Sequence, residues 1–166
     1  MLSTLRLEKV DDSKGGFVQN FFSDRLNLAV TIHFGSFVGA EAITAGKELL
    51  ADARFTKTHN LLWDMRRITS MTLYDTDRAF AHQASKEVYE PLIDSRIVLL
   101  YDPDNPVNKI HKKRRALIQK ETAQPGYLES TSFVEAAEWL GVNQQDLSFF
   151  IEQNFSTQSP NVNTQN

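Results

Sequence analysis

Charged side chains stand at the ends of two apolar runs of the sequence. Asp64, Arg66 and Arg67 belong to the end of one run, and Asp102 follows the next. If both runs are parallel strands, their carboxyl ends lie at the edge where open α/β sheets bind ligands. Two carboxylates and two guanidinium groups could coordinate a cation or orient an anion. The favoured interpretation is an ordinary loop whose aspartates cap and form turns.

A second concentration of charge lies further along the chain. Lys109, Lys112, Lys113 and Arg115 fall within residues 107–120, which contain no acidic side chain. Such a patch could hold a phosphate-bearing ligand, an acidic partner or nucleic acid. The favoured interpretation is the solvated face of a helix. We expect no nucleic acid as partner, because the net charge is -3 and no nucleic-acid-binding motif is present.

The motifs of common catalytic and metal sites are missing from the sequence. The chain contains no Cys, which excludes disulfides, thiolate zinc sites and cysteine nucleophiles. Its four histidines are scattered, and no pair has the spacing of a His-Glu-x-x-His site. Neither a Gly-x-Ser-x-Gly elbow nor a glycine-rich phosphate loop occurs. We therefore expect no catalytic residue, no metal and no cofactor, and we predict that the protein is not an enzyme.

The composition is that of one ordinary domain. The chain has 166 residues, of which 41% are hydrophobic, so it can bury a core. Residues 1–10 carry three charged side chains and no long apolar block, which is unlike a signal peptide. No run approaches the roughly 20 apolar residues of a membrane helix. We expect a cytoplasmic protein without a membrane span.

Apolar runs alternate with helix-like stretches, which indicates parallel strands joined by helical crossovers. The predicted strands are 28–34, 60–65, 95–101 and 126–129, and the predicted helices are 38–52, 75–89, 107–122 and 133–140. Residues 17–22, and more weakly 5–10, predict an antiparallel opening, because their linkers are too short for a crossover. Residues 66–74 are predicted to form a loop.

This order predicts an α/β fold. It is a single domain, residues 1–153, with a mixed, mostly parallel central sheet and flanking helices on both faces. Residues 154–166 are almost all polar and predict a flexible tail. Within the domain, Ser132 and Glu135 predict a capping box, and Gly141 predicts the stop of that helix. Asn143 then predicts the cap of a final short helix. Gly46 lies inside a predicted helix and indicates close packing on the sheet.

Three segments carry a likeness to a known family. They are a strand that ends in Gly and enters a helix, an apolar strand with Asp before a loop, and an Ala-rich helix that ends in Trp-Leu: residues 32–42, 61–66 and 132–140. Together they resemble the SpoIIAA-like, or STAS-like, family of small bacterial domains, over about residues 28–141. The resemblance implies a mixed sheet flanked by helices, and binding of a protein or small ligand rather than chemistry.

The resemblance also points to the start of the second helix. Family members related to anti-sigma-factor antagonists switch there on a phosphorylated Ser or Thr in an Asp-Ser-Ser-Gly-like sequence. The matching residues here, 71–75, read Met-Thr-Leu-Tyr-Asp, without the Ser-Gly pair. We therefore expect no such phosphoswitch. Thr72, Tyr74 and Asp75 remain candidates for a partner surface, with Asp75 as a predicted helix cap.

The best-supported function from the sequence is a non-enzymatic binding or regulatory module that acts through an unidentified protein partner. One alternative is a small-molecule or lipid carrier with an apolar pocket between sheet and helices. The aromatic residues that could line such a pocket fit core positions better: Phe34, Phe37, Trp63, Tyr74, Phe80 and Tyr101. A less favoured alternative is a metal-dependent hydrolase or transferase that uses Asp64 and Asp102. The chain could also pair with a second copy, as small domains often do.

Overall fold

The computed structural model describes residues 16–72, 77–107 and 126–156, together with residues 112, 116 and 120. Its elements in chain order are β1 (Phe17–Ser23), β2 (Leu28–Val38), α1 (Gly39–Ala51), β3 (Asn60–Thr72), α2 (Asp77–Ala84), β4 (Arg96–Leu100), β5 (Gly126–Ser130), α3 (Phe133–Leu140) and α4 (Gln144–Ser156). A π-helical turn, Ser85–Tyr89, and a 3-10 turn, Glu90–Leu92, connect α2 to β4.

The strands form one five-stranded sheet in the order β1-β2-β3-β4-β5. β1 is antiparallel to β2, to which it is joined by a tight turn, and β2, β3, β4 and β5 are mutually parallel. Asn27 closes that turn with a φ of 49°, a left-handed conformation that Asn tolerates better than most residues. The predicted mixed, mostly parallel sheet is confirmed.

Helices cover both faces of the sheet, as predicted. In β3, Leu61, Trp63 and Met65 pack on the side of α1 and α2, and Leu62 packs on the side of α3 and α4. This alternation follows from the two-residue period of a strand. Of the six aromatic residues predicted to be core, four are buried: Phe34, Phe37, Trp63 and Tyr101. The side chains of the other two, Tyr74 and Phe80, lie outside the described residues.

Close packing at Gly46 is confirmed, although its partner is not the sheet. A Cβ at this position would stand 2.8 Å from Cγ1 of Val88. The absence of a side chain therefore lets α1 approach the π-helical turn. The sequence could not specify this neighbour, because Val88 follows Gly46 by a whole strand and helix.

The predicted helix ends at α3 and α4 are confirmed, with one difference in the capping box of α3. Ser132 caps α3 by accepting from the Glu135 N–H, and Gly141 ends it with a φ of 70°. The Glu135 carboxylate does not return directly to the Ser132 backbone. It binds the Ser130 hydroxyl, whose oxygen accepts from the Ser132 N–H at 2.9 Å. Asn143 caps α4 by accepting from the backbone N–H of Gln145.

Two strands are longer than the sequence predicts. β2 continues beyond its predicted end at residue 34 to Val38, and β3 occupies most of the predicted loop 66–74. The end of each strand continues as strand because the other strand supplies its backbone partners, down to the pair Val38 and Thr72. The prediction of a loop at 66–72 was therefore wrong.

The tail boundary also differs from the prediction. Residues 154–156 continue α4, because the Asn154 side chain donates to the Phe150 carbonyl at 2.8 Å and the Phe155 ring packs near Phe34. Residues 157–166, the predicted strand 5–10 and most of the predicted helix 107–122 lie outside the described residues. Among the helices that the structure does describe, none has the length and apolar character needed to cross a bilayer.

Candidate functional site

A β-bulge in β3 places Arg67, in addition to Arg66, on the same face of the sheet as Asp64. Ile32 of β2 pairs with Asp64 and Phe34 pairs with Arg67, so β3 has one extra residue between these pairs. Without that residue, strand alternation would turn Arg67 to the opposite face. Bulges re-aim side chains in this way. Arg66 and Arg67 therefore both reach the Asp64 carboxylate.

The Asp64 carboxylate is fully buried and is surrounded by donors from its own strand. Its Oδ1 atom accepts from the backbone N–H of Arg66 at 3.1 Å and from Arg66 Nε at 2.9 Å. Its Oδ2 atom accepts from Arg66 Nη2 at 2.7 Å and from Arg67 Nη1 at 3.1 Å. Each oxygen thus accepts two hydrogen bonds, so the lone pairs of the ionised carboxylate are all used.

These contacts hold the cluster in its charged form. Burial alone would raise the pKa of Asp64, but the side-chain hydrogen bond from Arg66 and the charges of both arginines outweigh it and lower the pKa. Burial also disfavours the Arg66 guanidinium, yet its hydrogen bond to Asp64, the charge of Asp64 and the charge of Asp102 raise the pKa of Arg66. Two carboxylates and two guanidinium groups leave the cluster without net charge.

The arrangement in which an arginine binds the aspartate two residues before it, which we call a clamp, occurs a second time on the surface. Asp52 accepts from the backbone N–H and Nε of Arg54, each at 2.9 Å, and from its Nη2 at 2.7 Å. Here the side-chain hydrogen bond from Arg54 lowers the pKa of Asp52 to about 2. The two clamps differ in surroundings, because the Arg54 side chain is 64% exposed and the Arg66 side chain is 31% exposed.

The loop after β4 is fastened to β3 beside this cluster. Asp102 accepts from the Asp104 N–H at 2.9 Å, which makes the turn that the sequence predicts. Asn105 then donates from its side-chain nitrogen Nδ2 to the Ile68 carbonyl at 2.6 Å, and its side-chain oxygen Oδ1 accepts from the Val107 N–H at 2.9 Å. The sequence gives no sign of this bond between Asn105 and β3.

Arg67 belongs to a small aromatic stack as well. Its guanidinium lies 4.7 Å from the centroid of the Phe155 ring and 5.9 Å from that of Phe34. Phe34 in turn stacks on Phe17 at 4.7 Å between centroids. Phe155 was missed as a site residue, because it lies in the segment predicted as a tail. Arg67 is therefore largely covered, with a side chain 14% exposed.

Beyond the cluster, β2 and β3 continue as a pair of strands past the end of the pairing between β3 and β4. The last pair of β3 with β4 is Asp64 with Leu100, whereas pairing with β2 continues to Thr72. We name residues 35–38 and 66–72 the β2–β3 ribbon. On it, Thr69 and Ser70 are exposed, and the Ser70 hydroxyl bonds to that of Ser36.

The remaining predicted site residues are described only in part. Thr72 ends β3, but its side chain lies outside the described residues, as do Tyr74 and Asp75. In the predicted anion patch, Lys112 is helical and exposed. Its other members lie outside the described residues: Lys109, Lys113 and Arg115.

A cavity lies on the other face, between the sheet and the helices α1 and α2. Its volume is about 30 Å³, and Thr31, His33, Trp63 and Tyr89 are among its lining residues. This is space for one or two water molecules, whereas small-molecule pockets typically measure about 300–1,000 Å³. Across the part of the chain that the structure describes, no three His, Cys, Asp or Glu side chains meet as a metal site requires.

Comparisons with known proteins give little beyond the fold. No protein-family model matches the chain, and no curated protein matches it. One similar solved structure is the crystal structure of an uncharacterized protein of the DUF3478 family, with a SpoIIAA-like fold, from Shewanella loihica PV-4. The likeness covers 80% of this chain and 99% of that one, at 15% sequence identity and a TM-score of 0.45. A likeness at this level assigns no family, ligand or partner to this chain.

Proposed function

We propose that this protein is a non-enzymatic binding module that acts by contact with another protein, and that the partner binds the β2–β3 ribbon. The observation that carries the proposal is the continuation of β3 to Thr72 beyond its last pair with β4. Within the described residues, no strand pairs with this part of the β3 edge. Extended protein segments bind such edges through main-chain hydrogen bonds.

The base of the ribbon supports this role because it is held firmly. Asp64 fixes Arg66 and Arg67, and Asn105 fixes the Ile68 carbonyl. A surface that is already ordered loses less conformational freedom when a partner binds. The ribbon beyond Ile68 carries the small polar residues Thr69 and Ser70, which are exposed.

The two alternative functions have less support. A hydrolase or transferase would need Asp64 as a base or metal ligand, yet its oxygens already accept from Arg66 and Arg67. A lipid carrier would need far more space than a cavity of about 30 Å³. Neither alternative has an observation of its own in its favour.

The test uses a charge on the ribbon edge and a matched charge elsewhere. Thr69→Lys places a lysine in the middle of the ribbon, and lysine at a strand edge opposes the addition of another strand. Thr58→Lys makes the same change at an exposed position just before β3, at the opposite end of the strand. Tagged wild-type protein and both variants are cross-linked in their native cells, and the captured proteins are quantified by mass spectrometry.

We expect one protein to be captured equally by the wild type and Thr58→Lys, and at least about tenfold less by Thr69→Lys, a difference of about 1.4 kcal/mol. Purified partner should then protect the ribbon amides from hydrogen exchange. Equal capture by all three proteins would contradict the proposed surface. Turnover of a substrate that is lost in Asp64→Asn would contradict the non-enzymatic role.

A further inference from the structure

An arginine and a tryptophan flank a glycine where β4 and β5 begin. Arg96 is the first residue of β4 and is exposed, and Trp139, near the end of α3, is 37% exposed. Both lie next to Gly126, the first residue of β5, because a Cβ on this glycine would stand 3.7 Å from Cγ of Arg96 and 3.7 Å from Cζ2 of Trp139. We name these three residues the Arg–Trp site.

The Arg96 side chain is held against the end of α3. Its Nη1 atom donates to the Trp139 carbonyl at 3.3 Å, and the carbonyls in the last turn of a helix attract positive groups. The backbone N–H of Arg96 donates to Asn60 Oδ1 at 3.0 Å. The guanidinium is therefore positioned before a ligand arrives, so binding costs it less conformational freedom.

The bonding of Arg96 differs from that of the arginines in the two clamps. Arg54 and Arg66 each hold a carboxylate with Nε and Nη2, the edge of a guanidinium that suits a bidentate contact. Within the described residues, Nε and Nη2 of Arg96 make no hydrogen bond, and no carboxylate lies within ion-pair distance of its side chain. The edge that binds Asp52 and Asp64 elsewhere thus has no partner in this part of the chain.

We propose that the Arg–Trp site binds an acidic segment of a partner protein. A carboxylate of that segment contacts Nε and Nη2 of Arg96, and an apolar side chain next to it packs on the Trp139 ring. Arginine and tryptophan are the residue types that most often dominate the energy of protein interfaces. The site lies where β4 and β5 begin, whereas the β2–β3 ribbon lies beyond the last pair of β3 with β4. The proposal is therefore independent of the partner proposed for the ribbon.

The surroundings of the site favour a protein carboxylate over other anions. Small molecules bind in concave pockets that bury most of their surface, whereas Arg96 and Trp139 are exposed. A nucleic acid brings a dense row of phosphates, and the exposed residues Asp94 and Glu138, which are close in sequence to the site, would repel it. A single carboxylate meets less of this repulsion. Glu138 also leaves the Trp139 ring open, because successive side chains of a helix point about 100° apart.

The test selects short random peptides on the full chain and then reverses one charge. Each selected peptide is synthesised twice, as selected and with its Asp or Glu changed to Lys. Isothermal titration calorimetry measures the binding of both forms to the wild type, Arg96→Gln, Arg96→Glu and Trp139→Ala. The matched controls are Arg25→Gln and Phe149→Ala. Arg25 is an exposed arginine that already pairs with Asp146, and Phe149 is an aromatic residue of α4 that is 57% exposed.

We expect the selected peptides to combine an acidic with an apolar residue, and to bind Arg96→Gln and Trp139→Ala at least about tenfold more weakly than the wild type and both controls. Arg96→Glu should lose the acidic peptides and bind their Lys forms, which a misfolded variant could not do. Thr69→Lys should bind the acidic peptides like the wild type, because the ribbon lies at the other end of the sheet.

Three results would overturn the proposal. The first is that no peptide binds, or that the selected peptides are not enriched in Asp and Glu. The second is that neither Arg96→Gln nor Trp139→Ala weakens the binding of any of them. The third is that Arg96→Glu fails to bind the Lys forms.

Discussion

Replacing Asp64 by Ala should lower the free energy of unfolding by about 3 kcal/mol. Removal of one partner from a buried ion pair typically costs about 3–5 kcal/mol, because the other charge is left buried and unpaired. Asp64 is 0% exposed and is bound by two arginines. The lower end of the range applies, because the Arg66 side chain is 31% exposed and water can reach part of its guanidinium.

The surface clamp supplies the control for this experiment. Asp52→Ala removes the same three hydrogen bonds, which an arginine donates to the aspartate two residues before it. Its Arg54 side chain is 64% exposed, and exposed ion pairs are typically worth about 0–1 kcal/mol. Urea unfolding measures both variants. With an m value of roughly 2 kcal/mol/M, the midpoint should fall by about 1.5 M for Asp64→Ala and by less than about 0.5 M for Asp52→Ala.

The difference in stability between the wild type and Asp64→Ala should also depend on pH. The pKa of Asp64 is lower in the folded protein than in the unfolded chain, where it is about 3.9. A lowered pKa adds stability that is complete above the unfolded value and is lost as pH falls through the folded value. The gap between the wild type and Asp64→Ala should therefore be full near neutral pH and shrink below about pH 4. Equal losses for the two Asp→Ala variants would refute the reasoning, as would a gap independent of pH.

Two further predictions concern contacts outside the cluster. Gly46→Ala should destabilise the protein by about 1–3 kcal/mol through overpacking, because its Cβ would stand 2.8 Å from Val88 Cγ1. Thermal unfolding should show that Gly46→Ala and Val88→Ala together cost less stability than the sum of the two single changes. Simple additivity of the two losses would contradict the clash. Arg54→Ala should raise the pKa of Asp52 from about 2, since the Arg54 side chain is the main cause of its lowering; NMR titration of the Asp52 carboxyl checks this, and an unchanged pKa would rule that cause out.

The positions of the strands could be predicted from the sequence, but not their ends. Runs such as 96–101 are apolar because both faces of a central strand are covered, and that pattern is local. The apolar pattern of β3 stops at Met65, yet the strand continues to Thr72 because β2 lies beside it. That partner is set by the tertiary fold, and the two register shifts between β2 and β3 leave no local sign.

The candidate site could be predicted only in outline. Asp64, Arg66 and Arg67 are close in sequence, so it could be predicted that they are close in space. Strand alternation also accounts for Arg66 on the Asp64 face. It would place Arg67 on the opposite face, and the bulge reverses this. The contacts of Asn105 with Ile68 and of Arg67 with Phe155 join distant segments, and no spacing rule of a single strand or helix predicts them.

The two aspartate–arginine clamps show why a short motif does not decide function. Asp52 with Arg54, and Asp64 with Arg66, have the same spacing and nearly the same hydrogen bonds. What separates them is position, because one pair lies in a surface turn and the other at the base of the β2–β3 ribbon. There Asp64 holds Arg66 and Arg67 at the point where β3 continues past its last pair with β4. Asp64 would then serve partner binding by ordering the ribbon, without touching the partner itself.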